Sequence, residues 1–173
     1  EELVLAGMMD SPSCIEYHQS ANDEDVVLLG MVTGIVRIYV IPNAQLRILR
    51  KHFILNLHTD RVRSMKVVPQ FEGLITCSDD HTIKLTNLET GLVIKTYARN
   101  GHTTGVNCFV VALSTKIIVS TAAERHGLVW DYLQEAPVAR LDDHNCPTMG
   151  CALNERQNQI ITVGIDNSVN VFD

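Results

Sequence analysis

Three stretches of this chain repeat one arrangement of apolar and polar positions. Residues 62–67 (VRSMKV), 106–111 (VNCFVV) and 148–153 (TMGCAL) alternate loosely, the pattern of a strand with one face turned inward. Each is followed by an apolar pair, Leu74-Ile75, Ile118-Val119 or Ile160-Ile161, which suits a strand buried on both faces. A third strand is predicted over 82–86, 127–130 and 168–172. Before it, Asp79-Asp80-His81, Glu124-Arg125-His126 and Asp166-Asn167 supply the short polar residues of a tight turn. Upstream, residues 14–19 (CIEYHQ), 26–30 (VVLLG) and 36–41 (VRIYVI) predict three more strands, and residues 3–7 (LVLAG) read as a lone outer strand.

Polar residues mark the same repeat. His58, His102 and His144 are 44 and 42 residues apart. Eighteen residues after each stands a hydroxyl (Thr76, Ser120, Thr162), and twenty-two after each an acid (Asp80, Glu124, Asp166). At twenty-eight come Thr86, Trp130 and Phe172. The same register laid on the upstream segment gives Ser11, Leu29, Thr33 and Tyr39, so that unit is held by packing without the polar set.

A period of roughly 40–45 residues with several strands inside it predicts one four-stranded sheet per repeat. The run SDDHTIKLTNLETG (78–91), the dipeptide in LVWD (128–131) and the pair Gly101-His102 resemble the WD40 family. That resemblance implies an all-β fold, a WD40-type β-propeller segment of about four four-stranded blades, part of a larger ring. It also implies an internal network in each blade, with the histidine between hydroxyl and acid and the indole completing it. Carried over, the full tetrad is His102, Ser120, Glu124 and Trp130, with Glu for the usual Asp. His58, Thr76 and Asp80 form a triad without an indole, as do His144, Thr162 and Asp166, where Phe172 fills space but donates nothing. Such a network satisfies both nitrogens of a buried imidazole and the buried carboxylate together.

The expected organisation is a degenerate first blade over 1–57, repeats over 58–101 and 102–143, and a repeat over 144–173 lacking its fourth strand. The family mostly forms seven-bladed rings, so about half a ring is expected, with a closed four-bladed ring as the rival. An open half-ring exposes apolar sheet faces at its ends.

Composition narrows the functional classes. At 46% hydrophobic and 20% charged residues the chain is a folded domain, and it has no apolar run of membrane-spanning length. No secretory leader is visible. Five cysteines without framework spacing point to a reducing, cytoplasmic setting. Cys77 and Cys108 are expected as small buried hydrophobes. Zinc at His144, Cys146 and Cys151 is disfavoured, since no C-x-x-C occurs and His144 has a structural place. No metal and no cofactor is expected.

The formal charge of -6 is unevenly spread: residues 1–36 hold seven acids and no Lys or Arg, while residues 37–66 hold seven basic residues. Arg47, Arg50 and Lys51 fall on the predicted outer strand of the first blade, where cations discourage strand addition or dock an acidic partner. The rim carrying the histidine loops and the turns would present Asp60, Arg61, His81, Thr103, Arg125, His126 and Asn145, the candidate partner contacts. Nucleic acid is disfavoured by the acidic balance and the few aromatics.

The expected function is a non-catalytic scaffold for other proteins in a multi-subunit complex. Tryptophan-poor repeats resemble the WD-repeat proteins of ciliary axonemes, which implies tubulin or axonemal partners and the cytoskeleton. The alternative is a WD40 reader or adaptor of the trafficking or ubiquitin-ligase type, binding an acidic or modified peptide at the rim. A hydrolase is opposed by recurrence of the His–hydroxyl–acid set in three repeats, by hydroxyls inside apolar strands, and by the lack of G-x-S-x-G.

Overall fold

The computed structural model describes residues 10–19, 25–41, 50–71, 73–142 and 144–173, without the side chains of 50–53 and 71. The predicted strand at 3–7 and Arg47 lie outside the described residues. Four antiparallel sheets follow one another along the chain, each built by consecutive strands. The first holds β1 (Pro12–Gln19), β2 (Asp25–Met31), β3 (Ile35–Ile41) and β4 (Arg50–Asn56). The second holds β5 (Val62–Val68), β6 (Gly73–Ser78), β7 (Ile83–Asn87) and β8 (Val93–Tyr97). The third holds β9 (Val106–Ala112), β10 (Ile117–Ala122), β11 (Gly127–Asp131) and β12 (Pro137–Leu141). The last has three strands among the described residues, β13 (Thr148–Asn154), β14 (Gln159–Gly164) and β15 (Val169–Phe172).

The second strand of each middle sheet is buried nearly throughout, β6 completely and β10 over its last five residues, because these strands lie inside the stack with sheets on both sides. Three of the four core clusters lie between successive sheets. Leu28, Val36 and Ile38 of the first sheet meet Val62, Met65 and Leu74 of the second. Ile75, Leu85 and Tyr97 of the second meet Phe109, Ile118 and Trp130 of the third. Val119, Val129 and Leu141 of the third meet the partly buried Leu153, Ile160 and Phe172 of the last. Each sheet therefore depends on its neighbour for burial.

The first strand of sheets two, three and four carries a register shift at its start, Val62/Ser64 opposite Cys77-Ser78, Val106 opposite Ala122, and Thr148/Gly150 opposite Val163-Gly164. A bulge there bends the strand toward the loop that delivers the histidine. Gly34 shows why the loop needs glycine in the first sheet: its φ is 85°, and an added Cβ would stand 2.2 Å from the His58 carbonyl oxygen.

Apolar side chains stand exposed on both terminal sheets. Ile15 and Tyr17 project from β1, and Val169 and Val171 from β15 are 61% and 56% exposed. No helix among the described residues is long and apolar enough to cross a membrane.

Candidate functional site

The rim site grows from the three histidine loops, each running up to the bulged first strand of its sheet. In the third sheet His102 is buried, its Nδ1 2.9 Å from Glu124 Oε2 and its Nε2 2.8 Å from Ser120 Oγ. Trp130 Nε1 donates to the same Ser120 Oγ at 2.8 Å. The carboxylate can only accept, so Nδ1 carries the proton and Nε2 accepts from the serine hydroxyl. The chain of donors therefore runs from indole to serine to imidazole to carboxylate, with no group left over.

Glu124 is saturated from the other side too. Its Oε1 accepts from the Thr103 amide (2.6 Å), the Thr103 hydroxyl (2.6 Å) and the Thr104 amide (3.1 Å). Burial alone would raise its pKa, but the bonds from Thr103 and His102 outweigh burial and pull it down to about 2. His102 moves below its ordinary value because burial disfavours the imidazolium more than Glu124 favours it.

The second sheet repeats the pattern with a different ending. His58 Nδ1 lies 2.8 Å from Asp80 Oδ2 and Nε2 lies 2.8 Å from Thr76 Oγ1. Thr82 adds a hydroxyl 3.1 Å from Nδ1 and donates to Asp80 Oδ1 at 2.7 Å. Against the opposing push of burial, His58, Thr82 and the Thr59 amide hold Asp80 well below the ordinary carboxylate range. At the indole position, Thr86 Oγ1 is buried without a hydrogen-bond partner.

The last sheet departs from the expected direct pair. His144 Nε2 meets Thr162 Oγ1 at 2.7 Å, but Nδ1 meets Ser168 Oγ at 3.0 Å, and Ser168 in turn donates to Asp166 Oδ1 at 2.5 Å. The serine relays between imidazole and acid because Asp166 sits exposed at the turn tip. Ser168 also lowers the Asp166 pKa.

Sequence reasoning missed a fifth position of the repeat. Twenty-four residues after each histidine stand Thr82, His126 and Ser168, and each contacts the acid of its own set. In the third sheet His126 Nε2 lies 3.0 Å from Glu124 Oε2, and its ring stacks on His102 with ring centroids 6.1 Å apart. The hydroxyls at this spacing were readable; the imidazole hid the regularity.

The rim residues divide accordingly. Asp60, His81, Arg125 and Asn145 are exposed, and Arg61 is half-buried. Thr103, exposed, and His126, half-buried, have polar atoms in contact with Glu124. Arg50 and Lys51 lie on β4, away from this rim. Glycine at 101 answers a packing need, since an added Cβ would stand 2.7 Å from Trp130 Cη2.

Among the described residues, His102, Glu124 and His126 place donor atoms within 4.8 Å of one another, the geometry closest to a cation site. The expected burial of Cys77 is matched by its complete enclosure, whereas Cys108 is only half-buried and faces Cys151 across two sheets, Sγ to Sγ 3.5 Å.

Stacked four-stranded sheets fastened by a buried histidine network define a β-propeller segment with WD-type repeats. Residues 49–87 match the family model described as WD domain, G-beta repeat. The WD repeat-containing protein 55 homolog of Aedes aegypti is 28% identical over 122 residues, covering 70% of this chain and 25% of that protein. The homolog of Drosophila virilis is 21% identical over 151 residues, covering 87% and 29%. The chain thus spans less than a third of the length of these relatives. The crystal structure of the computationally designed Ika4 protein superposes with a TM-score of 0.78 over 99% of this chain and 97% of that one, at 20% identity, a likeness of fold alone. The matches make the chain similar to WD-repeat proteins, with the family model itself confined to residues 49–87.

Proposed function

We propose that this chain is a non-catalytic scaffold segment that holds other proteins at its histidine-bearing rim, within a multi-subunit assembly. The observation that carries this reading is the burial of the hydroxyl in each of the three histidine sets. Thr76, Ser120 and Thr162 are each 0% exposed, and each hydroxyl is bonded to the Nε2 of a buried histidine. A substrate carbonyl has no path to such a hydroxyl. What the rim offers outward is Asp60, His81, Arg125 and Asn145, with Arg61 beside them, a surface suited to polar partner contacts.

The test places a photocrosslinking amino acid at Arg125, on the rim, and at Val138, on the outer strand β12. Adducts with defined assembly subunits concentrated at position 125 support rim docking; equal or greater yield at 138 overturns it. A fluorophosphonate probe run in parallel should leave Ser120 unlabelled, and stoichiometric labelling there would favour a hydrolase.

A narrower placement, on tubulin or in a cytoplasmic axonemal complex, rests on the tryptophan-poor repeats. Crosslinking in a ciliary extract tests it: adducts to tubulin or axonemal subunits support it, and adducts confined to other complexes overturn it. The alternative of a modified-peptide reader requires an aromatic cage or an arginine cluster. The rim loops contribute Arg61, Arg99 and Arg125 but, among the described residues, no Phe, Tyr or Trp for an aromatic cage, which favours the scaffold.

A further inference from the structure

Of the five free cysteines, two come together. Cys108 on β9 and Cys151 on β13 place their sulfurs 3.5 Å apart, although 43 residues separate them in the chain. The meeting follows from strand alternation. Cys108 is six residues past its histidine and Cys151 seven past its own, so they lie on opposite faces of equivalent strands. Residues at the seventh position face the preceding sheet: Met65 packs into the core shared with the first sheet, and Phe109 into that shared with the second. Those at the sixth face the following sheet. The third sheet's sixth position therefore looks at the last sheet's seventh.

The surroundings are those of a reactive pair more than of two inert core thiols. Both cysteines are half-buried, in contrast to the sealed Cys77. Thr121 Oγ1 lies 3.2 Å from Cys108 Sγ, and Cys151 Sγ lies 3.6 Å from the Val119 carbonyl oxygen. With Cys151 S–H and the Thr121 hydroxyl both able to donate to it, the Cys108 sulfur ionises below an ordinary thiol, while Cys151 keeps its proton longer. A thiolate beside a thiol is the arrangement that oxidation to a disulfide needs.

We propose that Cys108 and Cys151 form an oxidisable dithiol that closes into a disulfide between the third and last sheets when the protein meets a peroxide. The Cys108 thiolate attacks one peroxide oxygen, the O–O bond breaks, and hydroxide leaves, giving a sulfenic acid. Cys151 then attacks that sulfur, forming the S–S bond and expelling the second oxygen as water. In sum two thiols and one hydrogen peroxide give one disulfide and two waters, the sulfurs losing two electrons and the peroxide gaining them. Closing from 3.5 Å to a bond of about 2.05 Å asks for side-chain rotation on two strands already packed together. The bond would fasten the last sheet, held otherwise by Val119, Val129 and Leu141 against Leu153, Ile160 and Phe172, to the rest of the stack.

The experiment treats the whole chain with stoichiometric hydrogen peroxide. Expected are loss of two of the five thiols titrated under denaturing conditions, a mass decrease of about 2 Da, and a mapped peptide linking 108 to 151, all reversed by dithiothreitol. The oxidised protein should melt about 5 °C or more above the reduced one. Cys108→Ser should keep all four remaining thiols at the same dose, whereas Cys151→Ala should lose one, at Cys108, as a sulfenic acid trapped by dimedone with no disulfide formed. A linkage between other cysteines, only sulfinic or sulfonic products at these two, or an oxidised form that melts no higher would overturn the proposal. The wild-type peptide map decides the linkage even where a variant folds poorly.

Discussion

The second and third sheets carry the same histidine, hydroxyl and acid in the same geometry, yet they finish the network differently. In the third, Trp130 supplies the last donor, fills the space between sheets, and meets the edge of Tyr97 from the second sheet at 6.0 Å. In the second, the corresponding Thr86 is too short to reach Thr76, and its own hydroxyl is buried without a partner. The triad alone therefore seats the imidazole and the turn. The indole adds a second job, joining the network to the interface with the preceding sheet. A repeat can lose that second job and keep its fold, at a cost in stability that substitutions can measure.

The largest expected effect comes from removing the finishing residue where it exists. Trp130→Ala should destabilise by about 3–5 kcal/mol, since it opens a cavity in the core between sheets two and three and takes away a hydrogen-bond donor. Trp130→Phe, which copies the situation of Phe172 in the last sheet, should cost about 1–2 kcal/mol, mainly the lost N–H bond and some volume. Urea unfolding of the three proteins measures both. If the Phe variant is as damaged as the Ala variant, packing is not what the indole chiefly provides.

Removing the imidazoles sharpens the comparison at the next scale. His102→Ala leaves Ser120 and Glu124 each short of a partner and should cost about 1–3 kcal/mol. His58→Ala should cost at least as much, because Ser120 keeps the Trp130 indole and Glu124 keeps Thr103 and Thr104, whereas the Thr76 hydroxyl loses its bond to His58. A clearly smaller loss at His58 would show that the indole does not hold the serine once the imidazole is gone.

Acid should act on both sheets in the same direction. His102 has a folded pKa below its ordinary 6.5, so the unfolded chain binds the proton more readily and stability falls as pH drops from about 6.5. Glu124, depressed from 4.5 to about 2, and Asp80, also depressed, contribute stability that is present above the ordinary carboxylate range and lost as pH falls through it. Urea midpoints measured between pH 7.5 and 3, an interval on the order of these transitions, should show two descending limbs. His102→Gln should flatten the upper limb and spare the lower one.

Much of this arrangement could be read from the chain because a repeat prints the same chemistry at the same spacing. Histidine and hydroxyl perform one role wherever they recur, and the acid does so in the second and third sheets, so the spacing carried them. The position at twenty-four was obscured because Thr82, Ser168 and His126 reach the acid by different groups, and type regularity fails where contact regularity holds. Ser168 standing between His144 and Asp166 was equally hidden, since spacing does not distinguish a direct bond from a relay. The Cys108–Cys151 pair belongs to no single repeat. It arises only where the alternation of one sheet meets that of the next, a relation between repeats that a ruler laid along one of them does not contain.

The smallest effect is the most pointed, because it should be a gain. The Thr86 hydroxyl lies buried on β7 without a partner, a state that costs about 1–3 kcal/mol relative to a satisfied group, whereas an isosteric methyl has no such requirement. Thr86→Val keeps the β-branched shape a buried strand position prefers and removes the orphaned oxygen. It should stabilise the protein by about 1 kcal/mol, shifting the urea midpoint upward with an unchanged slope. The same substitution at Thr76, whose hydroxyl donates to His58, should destabilise, because there the oxygen is half of a buried bond. Two identical Thr→Val changes on adjacent strands, opposite in sign, separate a hydroxyl kept by the network from one stranded where the indole is missing. A loss at both positions would mean that Thr86 finds a partner in solution and that the second sheet is finished after all.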